Sequence, residues 1–331
     1  MTARRSFVHG LALASFALPT ITRAQPAHKI YRIGILSNAP AADLVGPETR
    51  SRSLGMLIRK LRELGYAYGE HYLTETRGSD GKPERFPALA AELVGLQPDV
   101  IVSTGPGLRA LKQATSTIPI IMAASSDPVG LGIVQGLARP GGNITGLSLQ
   151  AVETTGKRLE LLKELVPGAA TVAVIWDRSG SLHYWQAAEA AARARGWKLL
   201  SLEIRDLTDV EPAFKAAIDA RAGALLVSAA GILVPQARRL AELAARSRLP
   251  AMYELRLYVE AGGLISYGAD IDLVWRQAAV FVDKIFKGAK PAELPIEQPT
   301  KFEMVINLKS ARALGLTIPQ LLLLRADEVI E

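Results

Sequence analysis

The 331-residue sequence contains no cysteine, which excludes disulfide scaffolds, thiol nucleophiles, Cys-ligated zinc and anchoring through an acylated cysteine. Histidine is almost as scarce. Of the four present, His28, His71 and His183 follow the first 24 residues, widely separated and without carboxylates at ligand spacing, so no metal site is expected. Aromatic residues make up 6% of the chain. The formal net charge is +7, but its lysines and arginines are scattered and form no basic run with interleaved aromatics, which argues against a nucleic-acid partner.

Enzyme signatures are missing as well. Gly130, Gly132 and Gly136 are one residue too far apart for a dinucleotide fingerprint, and they follow no first strand. Thr155-Gly156-Lys157-Arg158 lacks the earlier glycine and the Ser/Thr of a phosphate-binding loop, and no Gly-x-Ser-x-Gly nucleophile elbow occurs. No nucleophile has a visible base, so neither catalysis nor a cofactor is expected.

What is present is a core-forming composition, 49% hydrophobic and 21% charged, in a chain long enough that two domains are the better expectation. Residues 1–24 read as an export signal. Arg4 and Arg5 precede an apolar stretch from Leu11 to Leu18, too short to span a membrane, and small residues lead to a cleavage site after Ala24. The arginine pair followed by Ser6 and Phe7 also resembles a twin-arginine signal, leaving the Sec and twin-arginine routes both open. Cleavage removes Arg4, Arg5 and Arg23, and the mature protein is expected to be soluble.

From Tyr31 onward, short apolar β-branched runs alternate with longer amphipathic ones. Ile33–Leu36, Val100–Val102, Ile118–Met122, Val172–Ile175, Ala224–Val227 and Leu264–Ile265 read as buried strands of a parallel sheet covered on both faces. Helices are expected at about 48–64, 84–95, 107–115, 129–138, 152–166, 184–195, 209–220, 235–247 and 271–287. The implied class is doubly wound α/β. The order of elements around Gly65, Tyr72–Thr76, Asp99 and Pro119 recurs around Gly196, Leu199–Ile204, Gly223 and Pro250, which implies two similar sheets in tandem.

Ligands of open α/β sheets bind beyond the carboxyl ends of the strands. The loops there carry Ser37 and Asn38; Ser103, Thr104 and Gly105; Ser125, Ser126 and Asp127; Asp177; Ser228; Tyr253 and Glu254; and Tyr267. Each loop taken alone is also what helix capping demands. Ser103-Thr104-Gly105 is the strongest candidate for an anion, because glycine admits a ligand to the backbone and a helix N-terminus follows. Ser125-Ser126-Asp127 offers two hydroxyls and a carboxylate, suited to an ammonium or hydroxyl, and Asp127 also suits an N-cap before Pro128. Asp127→Ala is expected to weaken binding more than tenfold.

Several longer blocks carry a resemblance. Asp127–Gly132, Leu137–Gly146, Lys157–Pro167, Val259–Gly263, Ser266–Gly268, Val282–Pro291, Leu294–Phe302, Val305–Lys309, Ala313–Pro319 and Leu324–Glu328 resemble the TrpX-like, tryptophan/tyrosine-type substrate-binding proteins of ABC transporters, over essentially the whole chain after the export signal. The resemblance implies a type I periplasmic-binding fold: two Rossmann-like lobes joined by a three-segment hinge, closing on a ligand. Residues 25–147 plus about 268–293 would form the N-terminal lobe, and 148–267 plus about 294–331 the C-terminal lobe, with crossings near Gly146–Leu149, Ser266–Gly268 and Leu294–Glu297. It further implies a monomeric periplasmic protein that binds a small carboxylate-bearing ligand, an aromatic amino acid or another aromatic or amphipathic acid, and delivers it to an ABC permease of the cytoplasmic membrane. Asp127 or Glu254 would meet an ammonium, and Tyr253 or Tyr267 an aromatic ring. Two rival readings are an exported enzyme using Asp127, Asp177 and Glu254, and a ligand-binding partner of a sensor kinase.

Overall fold

The computed structural model describes residues 29–177, 182–229 and 232–331. The export segment expected at 1–24 lies outside them. Five strands, β1 (Tyr31–Ser37), β2 (Tyr72–Gly78), β3 (Val100–Thr104), β4 (Ile120–Ser125) and β5 (Ile144–Ser148), form a parallel sheet in the order β2-β1-β3-β4-β5. Seven more, β6 (Thr171–Trp176), β7 (Lys198–Glu203), β8 (Ala224–Val227), β9 (Ala251–Tyr253), β10 (Ile265–Ala269), β11 (Phe302–Asn307) and β12 (Glu328–Ile330), form a second sheet in the order β12-β11-β10-β9-β8-β6-β7. Each sheet is the framework of one α/β lobe. Their switch points lie between β1 and β3 and between β6 and β8, where crossovers depart in opposite directions and leave a crevice at the carboxyl edge.

Alternation explains the apolar runs at the centre of the first sheet. Ile33 and Ile35 enter one core and Leu36 the other; Val100 and Val102 do the same against Ile101. Both faces of the sheet are covered at these central strands, so neither side tolerates polar alternation there, whereas the edge strand β2 carries Thr74, Glu75, Thr76 and Arg77. The helices are α1 (Arg52–Glu63), α2 (Phe86–Gly95), α3 (Pro106–Ala114), α4 (Thr155–Leu165), α5 (Leu182–Arg193), α6 (Val210–Asp219), α7 (Ala237–Arg246), α8 (Arg256–Glu260), α9 (Ile271–Phe286), α10 (Leu308–Ala313) and α11 (Gln320–Arg325). Helix α1 shows the logic: Ser51 caps it by accepting from the Leu54 amide, and Leu54, Leu57, Ile58 and Leu61 make one buried stripe.

One expected helix does not form. Residues 129–138 follow a series of turns, in which Gly132 takes φ +64° and the Ile133 and Val134 amides both donate to the Pro128 carbonyl. Three glycines within seven residues make a helix too costly in backbone entropy, and the apolar pattern is met instead by Ile133 and Val134 turning into the core.

The chain passes between the lobes three times, a few residues from where the blocks above suggested. Ser148 is still in β5 and Ala269 still in β10. On the return, Leu147 pairs with Glu297 and Ile296 packs in the first lobe's core, so the last passage falls between Glu297 and Phe302. Helix α9 accordingly packs against α1 and β4 in the first lobe. The last passage also explains why β11 runs antiparallel to β10 in an otherwise parallel sheet. Strand β10 exits toward the first lobe, and the chain re-enters from that same side.

Candidate functional site

A cavity of about 740 Å³ lies between the lobes, at the carboxyl edges of both sheets. The first lobe supplies nearly all of its polar wall. Ser37 and Asn38 come from the end of β1, Asp80 and Lys82 from the loop after β2, Thr104, Gly105 and Arg109 from β3 and α3, and Ser125 and Ser126 from the end of β4. The second lobe contributes Leu207, Ala229, Val234, Pro235, Gln236, Leu255 and Leu257. The polar and basic groups are thus confined almost wholly to the first lobe, which also lines the cavity with Ile35, Leu54, Ile133 and Trp275, while the second-lobe wall is apolar apart from Gln236.

Local geometry holds the polar loops in place. The Ser37 hydroxyl accepts from the Ala39 amide, and Asn38 Oδ1 accepts from the Ser79 hydroxyl. Gly78 lies where a Cβ would come within 2.3 Å of the Ala39 carbonyl oxygen, so only glycine lets β2 pass this close to the loop lining the cavity. Gly105 precedes α3 at φ +51°, and no side chain caps that helix, leaving its first amides toward the ligand space. Ser53, Thr104 and Ser125 line the cavity with hydroxyls that make no side-chain hydrogen bond to other described residues.

Seven of the thirteen residues singled out from the sequence do not line the wall. Ser103 is fully buried and its hydroxyl donates to the Leu36 carbonyl, bracing β3 against β1. Asp127 accepts from the Gly130 amide and lies 2.8 Å from His183 Nδ1 on α5 of the other lobe, making it a link between lobes. Asp177 and Ser228 are buried; parts of their loops, 178–181 and 230–231, lie outside the described residues. Glu254 is 3% exposed and accepts from the Ala229 amide. Tyr253 is wholly buried and stacked on Tyr258 at 4.9 Å. Tyr267 stacks on Phe302 at 6.0 Å. Burial pushes the Tyr253 and Tyr258 hydroxyls well above the ordinary tyrosine range, as expected of core residues.

Two positions that shape the site escaped the sequence reading. The aromatic ring on the cavity is Trp275, carried by α9, which leaves the second lobe at the Asp270 N-cap and presents Ile271 and Trp275 one turn apart. The i, i+4 spacing was legible; its address in the first lobe was not. The other is Arg158, fully buried on α4. Its guanidinium donates to the hydroxyls of Thr154 and Thr155, to the Ala151 carbonyl and, at 3.3 Å, to the Tyr267 carbonyl, and it lies over the Tyr184 ring. It therefore ties the strand that leads into the second passage to the segment that follows the first. A second link between the lobes runs from Arg52 on α1, held by Asp272, to Glu260 on α8. Burial would raise the Glu260 carboxyl, but Arg256 and Arg52 hold it below the usual range.

No group of three or more metal-ligating side chains occurs among the described residues, and none of their helices is long and apolar enough to cross a membrane. Known proteins share this architecture. A tyrosine-binding protein of Clostridioides difficile (strain R20291) is 25% identical over 289 residues, covering 84% of this chain and 81% of that protein. A conserved domain protein from Vibrio cholerae superposes with a TM-score of 0.83 at 26% identity, over 91% of this chain and 100% of that one. The ABC domain from Streptococcus pneumoniae, solved in complex with L-Trp, gives 0.82 at 25% identity with the same coverage. A family model described as ABC transporter substrate binding protein matches residues 44–330. With two α/β lobes of the type I periplasmic-binding kind around a ligand-sized cavity, the chain belongs to the ABC transporter substrate-binding protein family.

Proposed function

We propose that this protein binds a small carboxylate-bearing ligand, an aromatic amino acid or another aromatic or amphipathic acid, in the interlobe cavity outside the cytoplasmic membrane, and presents it as a monomer to an ABC permease. The observation that carries the reading is the division of the cavity wall. The hydroxyls and bases of the first lobe, with a helix N-terminus, suit a carboxylate, and the apolar second-lobe wall of Leu207, Val234, Pro235, Leu255 and Leu257, together with Trp275 of the first lobe, suits a ring. The relatives named for tyrosine and bound to tryptophan favour the same chemistry. Binding is followed by release of the unchanged ligand, with no catalytic step.

Mass spectrometry of small molecules freed by denaturing the purified protein tests this directly. A single intact aromatic or amphipathic acid is expected, and saturation with it at 100 times its dissociation constant adds about 2.7 kcal/mol of stability, a melting shift of a few degrees. A chemically altered product would favour an enzyme. No solute, and no shift with any aromatic acid or amino acid, would remove the ligand assignment.

A further inference from the structure

Resting on the cavity reading above, the charge around the cavity narrows the ligand further. An α-ammonium shut into a closed cleft loses its water and needs a carboxylate, or a full set of acceptors, in exchange. Among the described residues that line the cavity, Asp80 is the one acid. It is already engaged: Arg85 pairs with it, the Ala41 amide donates to it, and Arg85 holds its carboxyl below the usual range. The three other acids that the loops bring to this edge are turned to internal tasks. Asp127 bonds Gly130 and His183, Glu254 bonds Ala229, and Asp177 is buried.

The bases are in the opposite condition. Lys82 and Arg109 line the same cavity and neither forms an ion pair with a described residue. Lys82 has Asp80 in its vicinity, which feels its charge, whereas Arg109 carries a positive charge with no described acid paired to it; both stand beside hydroxyl donors, and the second-lobe wall is largely apolar. We propose that the preferred ligand is an aryl-alkyl carboxylate without an α-ammonium group, with its carboxylate toward Lys82, Arg109 and the start of α3 and its ring against Trp275 and the second-lobe leucines.

Matched pairs separate the two classes. Calorimetric titration of the protein with indole-3-propionate against L-tryptophan, and with 3-(4-hydroxyphenyl)propionate against L-tyrosine, is expected to show the ammonium-free member binding at least tenfold tighter. Arg109→Gln and Lys82→Gln, both at exposed positions and expected to leave the melting temperature unchanged, should each weaken that acid at least threefold, and added salt should weaken it in the unsubstituted protein. Equal or tighter binding of the amino acids would overturn the proposal while leaving the cavity reading intact. Failure of all four compounds to bind would overturn both. A preference for the ammonium-free acids that neither glutamine variant diminishes would overturn the role given to the two bases.

Discussion

Asp127 illustrates how a residue's address changes its role. In a loop rich in hydroxyls it reads as a ligand group, yet its oxygens are turned to the Gly130 amide and to His183 on the opposite lobe. With His183 about half exposed, such a pair contributes roughly 0.2–1 kcal/mol. A residue that favours the closed lobes without touching the ligand changes affinity only through the population of the closed form. Asp127→Ala should therefore weaken ligand affinity by about two- to fivefold, less than contact would imply. His183→Ala should match it, and the double variant should add nothing. A calorimetric loss above tenfold, or a silent His183→Ala, would return Asp127 to the ligand.

Helix α9 does more for the site than its pattern reveals. Asp270 caps it by accepting from the Asp272 and Leu273 amides, immediately after the chain leaves β10, so one carboxylate sets where the second passage ends and where Trp275 starts. Asp270→Ala should cost about 1 kcal/mol of stability, read by urea unfolding, and should also weaken ligand binding because Ile271 and Trp275 lose their fixed position. A cost in stability with unchanged affinity would mean that packing against α1 alone places the indole. The nine helices expected from periodicity include eight that form; the exception, at 129–138, fails because glycine content outweighs apolar spacing. Short elements such as α8, α10, α11 and β12 gave little signal, since three to six residues cannot display a period.

For the whole molecule, buried tyrosines set the alkaline limit. Burial, with a smaller effect of Tyr68, pushes Tyr72 up to about 12; burial and then the bond to Asp283 push Tyr66 up to about 12. Tyr184, Tyr253 and Tyr258 are pushed higher still, by burial first. A raised folded-state value means that the unfolded chain loses its proton first. Stability is therefore complete below about pH 10 and falls as pH rises from 10 through 12, with Tyr72 alone accounting for about 3 kcal/mol. Melting temperatures should drop steeply over that interval, and spectrophotometric titration should find these hydroxyls ionising only as the chain unfolds. Ionisation of all eight tyrosines near pH 10 without loss of structure would contradict the burial.

Much was decided before folding. Apolar strand runs bounded by turn residues, and their repetition, determined the two α/β lobes and the edge at which the cavity opens, because hydrophobic period and strand direction are local properties that the chain displays directly. The sequence also placed Ser37, Asn38, Thr104, Gly105, Ser125 and Ser126 on loops that line the cavity. Tertiary structure alone decided which neighbours on those loops face inward. Ser103 and Thr104 are neighbours on β3, where successive side chains point to opposite sides, while Tyr253 ends β9 inside the core and Leu255, beyond that strand at the start of α8, reaches the cavity. It also decided that the aromatic wall belongs to Trp275, far along the chain, and that Lys82 and Arg109 reach the cavity without forming an ion pair with a described residue. Those outcomes depend on how two lobes meet, and that meeting follows from long-range packing that no local pattern records.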